Sequence, residues 1–292
     1  MQALQTATNI TFKNILFLTD FSEASQAALA YAMGLSRHFK AHLFPAHASD
    51  PVVLTETVNP DIVDEIIEHS QNRLSSLIKD KDIEVTPLFE RGSVETLFPH
   101  WIDENGIDLV IVGTHGRRGM ERFLLGSSAE FIFRNSPCPV LTAGPHVTLR
   151  PYHGFAAEHI LFPTDLGPHA EHALTYALSF ARENHARLTL IHLIKPQDAF
   201  RTDSKTLLEE TRNKVETMLP DDVKEWCAPE IIVEVGDAAV GVLEFADKER
   251  PDLIVLGLPK NKNFNSHFRT GVTFKIISQS PCPVLTIRDL QE

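Results

Sequence analysis

The chain repeats itself, and that constrains its fold more than any other feature. The segment NILFLTDFS beginning at Asn14 returns as HILFPTDLG beginning at His159, an offset of 145 from position 14 to position 159. At the same offset Ala28, Leu29, Tyr31 and Ala32 meet Ala173, Leu174, Tyr176 and Ala177. Further on the offset falls by one. DLVIVG at Asp108 returns as DLIVLG at Asp252, and SPCPVLT at Ser136 returns unchanged at Ser280. One deleted residue separates the two registers, so the chain is a tandem duplication of two similar domains. The expected boundaries are 1–146 and 156–292, with the Pro-, Gly- and His-containing stretch around Gly144 to Glu158 as linker.

Each half alternates between strand and helix patterns. In the first, Ile15 to Leu18 and His42 to Ala48 read as strands, and Ala24, Ala27, Ala28, Tyr31, Ala32 and Leu35 recur at helical spacing between them. Asp20 or Ser22 is available to cap that helix. A helix with Val63, Ile66, Ile67, Leu74, Leu77 and Ile78 on one face leads to an expected strand at Ile83 to Phe89, and Gly92 marks a turn. Val94, Leu97, Phe98, Trp101 and Ile102 form another stripe, in which Pro99 predicts a kink or a late start. Strand Leu109 to Val112, helix Ser127 to Arg134 and strand Val140 to Ala143 complete the half. Apolar strands alternating with helices predict an α/β fold: two tandem Rossmann-like domains, each a five-stranded parallel sheet flanked by helices. In such sheets ligands bind outside the strand carboxyl ends, where the strand order reverses. Asp20, Ala48 and Gly113 all stand at such ends.

The stretch Asp108 to Thr142 carries the chemistry. An apolar strand ends at Gly113, Gly116 follows, and Gly126-Ser127-Ser128 opens a helix. Amides at a helix start lack partners within the helix, glycine lets a ligand approach the main chain, and the macrodipole favours negative charge there. Arg117, Arg118 and Arg122 make the loop basic in an otherwise acidic protein. This pattern resembles the universal stress protein family, whose nucleotide-binding members carry G-x2-G-x9-G-[ST] after the fourth strand. Gly113, Gly116, Gly126 and Ser127 match it, and the PCPVLT that follows is similar to the family's last strand.

The resemblance implies an adenine nucleotide, ATP or else ADP or AMP, held by Gly113, Thr114, His115, Gly116, Arg117, Gly126, Ser127 and Ser128. It places Asp20 and Ala48 on the base and ribose side, with the first and fourth strands adjacent. Ser127 and Ser128 are suited to hold phosphate oxygens or a Mg²⁺ ion in the ligand's shell. The second copy departs from the pattern: Lys260 replaces Gly116, Pro259 removes an N–H beside it, and Gly271 lies one residue late. The second domain is therefore expected not to bind nucleotide in the same way, and to serve as internal dimer partner of the first.

No G-x4-G-K-[ST] occurs, and no general base stands out, so the expected function is a nucleotide-dependent regulatory or interaction module with little turnover. The alternatives are a slow ATP hydrolase or phosphotransfer enzyme, and a chaperone-like protein without nucleotide. His47, His192 and His115 lack metal-ligand spacing, so no metal or catalytic residue is expected among them. Cys138 and Cys282, in identical contexts, read as small core residues. A net charge of −12 argues against nucleic acid or an anionic membrane as partner. The three cysteines make no disulfide framework, and the first residues lack the pattern of a signal peptide, which points to the cytoplasm. A further homodimer is compatible with the duplicated surface.

Overall fold

The structure, a computed structural model, describes residues 9–49, 60–78, 80–114, 126–144, 146–147, 155–199, 204–259 and 271–288. The chain forms two compact units. One comprises Phe12–Ala143 together with Phe155; the other comprises Ala156–Glu292 together with the segments before Phe12 and after Ala143. Ile10 accordingly donates its N–H to Ser179 Oγ of the second unit at 2.7 Å.

In the first unit the order is β1 (Asn14–Leu18), α1 (Glu23–Phe39), β2 (His42–Ser49), α2 (Pro60–Ser76), β3 (Leu88–Arg91), α3 (Val94–Glu104), β4 (Leu109–Gly113), α4 (Ser127–Asn135) and β5 (Val140–Ala143). The sheet runs β3-β2-β1-β4-β5 with every pair parallel. Ile15, Leu16, Phe17 and Leu18 are all buried, because helices cover both faces and a strand there has no solvent side. Ser22 caps α1 by accepting from Ser25 N, and Lys40 ends the helix in a left-handed conformation at φ 53°.

The second unit repeats this with β6 (His159–Pro163), α5 (Pro168–Asn184), β7 (Arg187–Ile194), α6 (Pro196–Ala199), α7 (Ser204–Glu216), α8 (Val223–Trp226), β8 (Glu230–Val235), α9 (Ala238–Glu249), β9 (Leu253–Leu258), α10 (Val272–Gln279) and β10 (Val284–Arg288). Its sheet runs β8-β7-β6-β9-β10, again parallel.

Two expectations need correction. The third strand does not begin at Ile83: only an isolated bridge joins Leu43 to Val85, and continuous pairing starts at Leu88. Pro87 lies between them and has no N–H to donate to the ladder. Its counterpart in the second copy is Ile231, which pairs with Leu190 in a strand of six residues where β3 has four. Nor does Pro99 delay its helix, which starts at Val94 and continues past the proline to Glu104.

The repeated sequence pieces have local structural reasons. Asp108, half-buried at the foot of β4, accepts from Lys13 N at 2.7 Å and Asn14 N at 3.0 Å, pinning the start of β1. Asp252 does the same for Glu158 N and His159 N. Burial raises the Asp108 carboxyl pKa, while the two amides oppose the rise by favouring the charged form. Ser136 Oγ bonds to Cys138 O and Ser280 Oγ to Cys282 O, locking the turn before β5 and β10. Burial also pushes the Cys138 thiol up to about 11, which makes it an inert packing residue.

Candidate functional site

In the first unit the strand order reverses between β1 and β4, and the carboxyl ends of β1, β2 and β4 bring Asp20, Ala48 and Gly113 to one edge of the sheet. The turn after β1 is built for that edge. Phe21 takes a left-handed conformation at φ 62°, which costs a bulky residue of order 1 kcal/mol and must be held from outside. Three contacts hold it: Phe21 N donates to Thr19 Oγ1, Ser22 N donates to Asp20 Oδ1, and His47 Nδ1 donates to Thr19 O at 2.7 Å. A carbonyl can only accept, so Nδ1 of His47 carries the proton. The second copy reproduces the device with Leu166 at φ 61° and with His192 Nδ1 at 2.8 Å from Thr164 O. Both histidines thus brace the turn, and one Asp20 oxygen is engaged in it.

Thr114 is fully buried, its N–H bonded to Ala143 O and its carbonyl accepting from Gly126 N at 2.9 Å. These bonds close the base of the glycine loop. His115, Gly116 and Arg117 lie outside the described residues, as do Arg118 and Arg122. Gly126 is the N-cap of α4, with Glu130 N bonded to its carbonyl and no side chain capping the turn. Ser127 is exposed and Ser128 half-buried in the first turn of α4, whose amides have no partner within the helix.

The structure changes the meaning of two glycines. A Cβ on Gly113 would stand 2.7–2.8 Å from backbone atoms of Ala24 and Ser25 on α1. Its counterpart Gly257 would place one 2.8 Å from His169 O on α5. Both copies keep this glycine because a helix backbone crosses it, whatever binds nearby. Gly271, expected one residue late, is in fact the N-cap of α10 as Gly126 is of α4; α10 simply begins one residue later relative to its strand. The real difference at the two helix starts is side-chain chemistry: Ser127 in one copy, Val272 in the other.

The sequence reading missed the wall beside Asp20. Phe21 and His47 pack with tilted rings at 4.7 Å between centroids, Phe89 lies 5.8 Å from His47, and the Arg73 guanidinium sits 4.5 Å over the Phe21 ring. Met218 lies against the matching turn in the second copy, where Thr164 Oγ1 points at its sulfur. No helical period flags a cation on an exposed helix face as part of a site, so Arg73 gave no signal.

Asp165, the counterpart of Asp20, has His169 Nε2 3.3 Å from its Oδ2. Bonding from His169 chiefly, and then from Gly167 N, lowers its carboxyl to about 2. A depressed folded pKa contributes stability that is complete above the unfolded value near 3.9 and is lost as pH falls toward 2. The Asp165 side chain is two-thirds exposed, so screening holds this to about 1 kcal/mol or less. Denaturant titrations at pH 5 and pH 2.5 are expected to show a smaller loss for Asp165→Asn than for the parent chain. Among the described residues no group of three or more His, Cys, Asp or Glu side chains is arranged to hold a metal ion.

Comparison with known proteins gives one family twice. The model of the universal stress protein family matches residues 11–143 and 157–288. A universal stress protein of Methanocaldococcus jannaschii is 26% identical over 137 residues, covering 44% of this chain and 81% of that protein. A putative universal stress protein of Staphylococcus aureus is 31% identical over 141 residues, covering 45% and 84%. Among solved structures, that of a universal stress protein from Archaeoglobus fulgidus superposes with a TM-score of 0.69 at 19% identity over 94% of this chain and 98% of that one.

Proposed function

This chain belongs to the universal stress protein family, as a tandem pair of its domains, and on that premise we propose that its first repeat binds ATP or another adenine nucleotide. The reading rests chiefly on the start of α4, where Gly126 N bonds to Thr114 O at the end of β4 and the first-turn amides of Ser127 and Ser128 have no partner within the helix, beside the reversal of strand order. Asp20 and Ala48 would receive the base and ribose side, and the two serine hydroxyls would hold phosphate oxygens, with or without Mg²⁺. Gly116 and Arg117 complete the proposed cradle, and Thr114 and Gly126 clamp its base.

The function proposed is regulatory: a cytoplasmic stress-response module in which nucleotide biases one arrangement of the loop, with little turnover. Among the described residues no helix is long and apolar enough to cross a membrane. The two repeats are proposed to work as a pair, and light scattering separates a single 32.6 kDa chain from a homodimer.

The test is nucleotide release. Protein purified natively and then denatured is expected to yield about one adenine nucleotide per chain by absorbance and chromatography, and Gly116→Lys, which copies Lys260, is expected to yield none. Two equivalents per chain would contradict the asymmetry between the repeats. The absence of nucleotide, both on release and in a titration with added ATP, would leave the chaperone-like reading standing. Phosphate release that scales with protein and disappears in Gly116→Lys would favour a slow hydrolase.

A further inference from the structure

The second unit contains a cavity of about 1050 Å³ at the carboxyl ends of its strands. Its lining is mostly apolar, with Leu166, Leu193, Val242, Leu256, Val272 and Ile276 among the contributors. At the helix start the first serine of the first repeat is exchanged, while the glycine N-cap and a hydroxyl at the next position, Thr273, are kept. Where Ser127 opens α4, Val272 opens α10 and stays 43% exposed although it lines the cavity. Pro259, also in the lining, has no N–H to offer. Exposure of a branched apolar side chain at a cavity mouth is unfavourable in water and becomes favourable when an apolar ligand covers it.

The charges argue in the same direction. Asp165, Asp198 and Asp237 line the cavity against Lys195 and Lys214, together with His169 and His192. Asp237 is engaged as the N-cap of α9, and Asp165, whose Oδ1 accepts from Gly167 N and whose Oδ2 faces His169 Nε2, keeps a charged carboxylate with lone pairs to spare. Among the described residues three carboxylates face two ammonium groups, and a carboxylate accepts hydrogen bonds without donating any; Lys260, Lys262, His267 and Arg269 lie outside the described residues.

We propose that this cavity binds a phosphate-free amphipathic small molecule, its apolar body against Leu166, Val242, Val272 and Ile276 and a hydrogen-bond-donating head on Asp165. The duplication would thus hold two unlike ligand sites in one chain. This proposal does not depend on nucleotide binding by the first repeat, and either can fail alone.

The experiment uses the full chain with the neutral dye Nile red, displaced by 1-octanol or by octanoate. One dye site per chain is expected, with octanol displacing at concentrations at least fivefold below those of octanoate. Asp165→Asn is expected to bring the two within twofold of each other. Val272→Asp, at an exposed position that leaves the core untouched, is expected to weaken the dye about tenfold. Val240→Asp, also exposed but outside the cavity lining, is expected to leave it unchanged. The proposal is overturned if the dye does not bind, if octanoate competes as well as octanol, if Val272→Asp has no effect, or if added ATP displaces the dye from the parent chain but not from Gly116→Lys.

Discussion

Replacing Gly113 with valine is expected to destabilise the first unit by about 3 kcal/mol, the upper end of overpacking costs. The added Cβ would meet the α1 backbone at 2.7–2.8 Å, and a backbone cannot turn aside as a flexible side chain does. For a unit of this size the loss corresponds to roughly 10 °C in melting temperature. Gly257→Val should do comparable damage to the second unit through His169 O. Chemical denaturation followed by circular dichroism measures both, and a cost below about 1 kcal/mol in either variant would contradict the packing account. The same pair separates two meanings of the glycine motif. If Gly113 served only to let phosphate approach, Gly113→Val would lose nucleotide at unchanged stability, and Gly257→Val would do nothing.

Trp101→Ala is expected to cost about 4 kcal/mol, within the range for emptying a large aromatic site. Trp101 is 1% exposed on α3, and its indole Nε1 donates to Glu90 Oε1 on β3. Trp101→Phe is expected to cost only about 1 kcal/mol, because the ring volume is largely kept and the half-buried Glu90 carboxylate can turn to water. The molecule contains its own control: Phe245 occupies the matching place on α9 and packs edge-on against His159 at 6.3 Å between centroids. Urea denaturation of the two variants checks the ratio. Equal costs would mean that the hydrogen bond, and not the buried volume, holds α3 in place.

Much of the fold was legible because it is written in periodicity. Strands such as Ile15 to Leu18 and Leu109 to Val112 are apolar without a break, and α1 carries its alanines at helical spacing, so five parallel strands per repeat follow from pattern alone. The third strand was overextended because its alternation runs through Pro87, and the missing N–H matters only once the neighbouring strand is known. For the proposed site, Asp20, Ala48 and Gly126 were picked out by their places at strand and helix ends. Arg73 and Phe89 were not, since α2 and β3 come to the Asp20 turn only through the fold.

The sequence by itself determined the duplication, the α/β alternation and the chemical contrast between the repeats, because these depend on the order and type of neighbouring residues. The tertiary structure decided why particular small residues stand where they do. Ala48 and Leu97 in the first repeat become Leu193 and Gly241 in the second, and a Cβ on Gly241 would meet Leu193 Cδ1 at 2.7 Å. A glycine inside a helix looks like a loss of about 1 kcal/mol in sequence, yet here it makes room for the larger side chain opposite. Gly113 likewise looks like a ligand glycine in sequence and proves to be a crossing point for α1. Volume is shared between elements far apart in the chain, and only their packing shows which residue fills it.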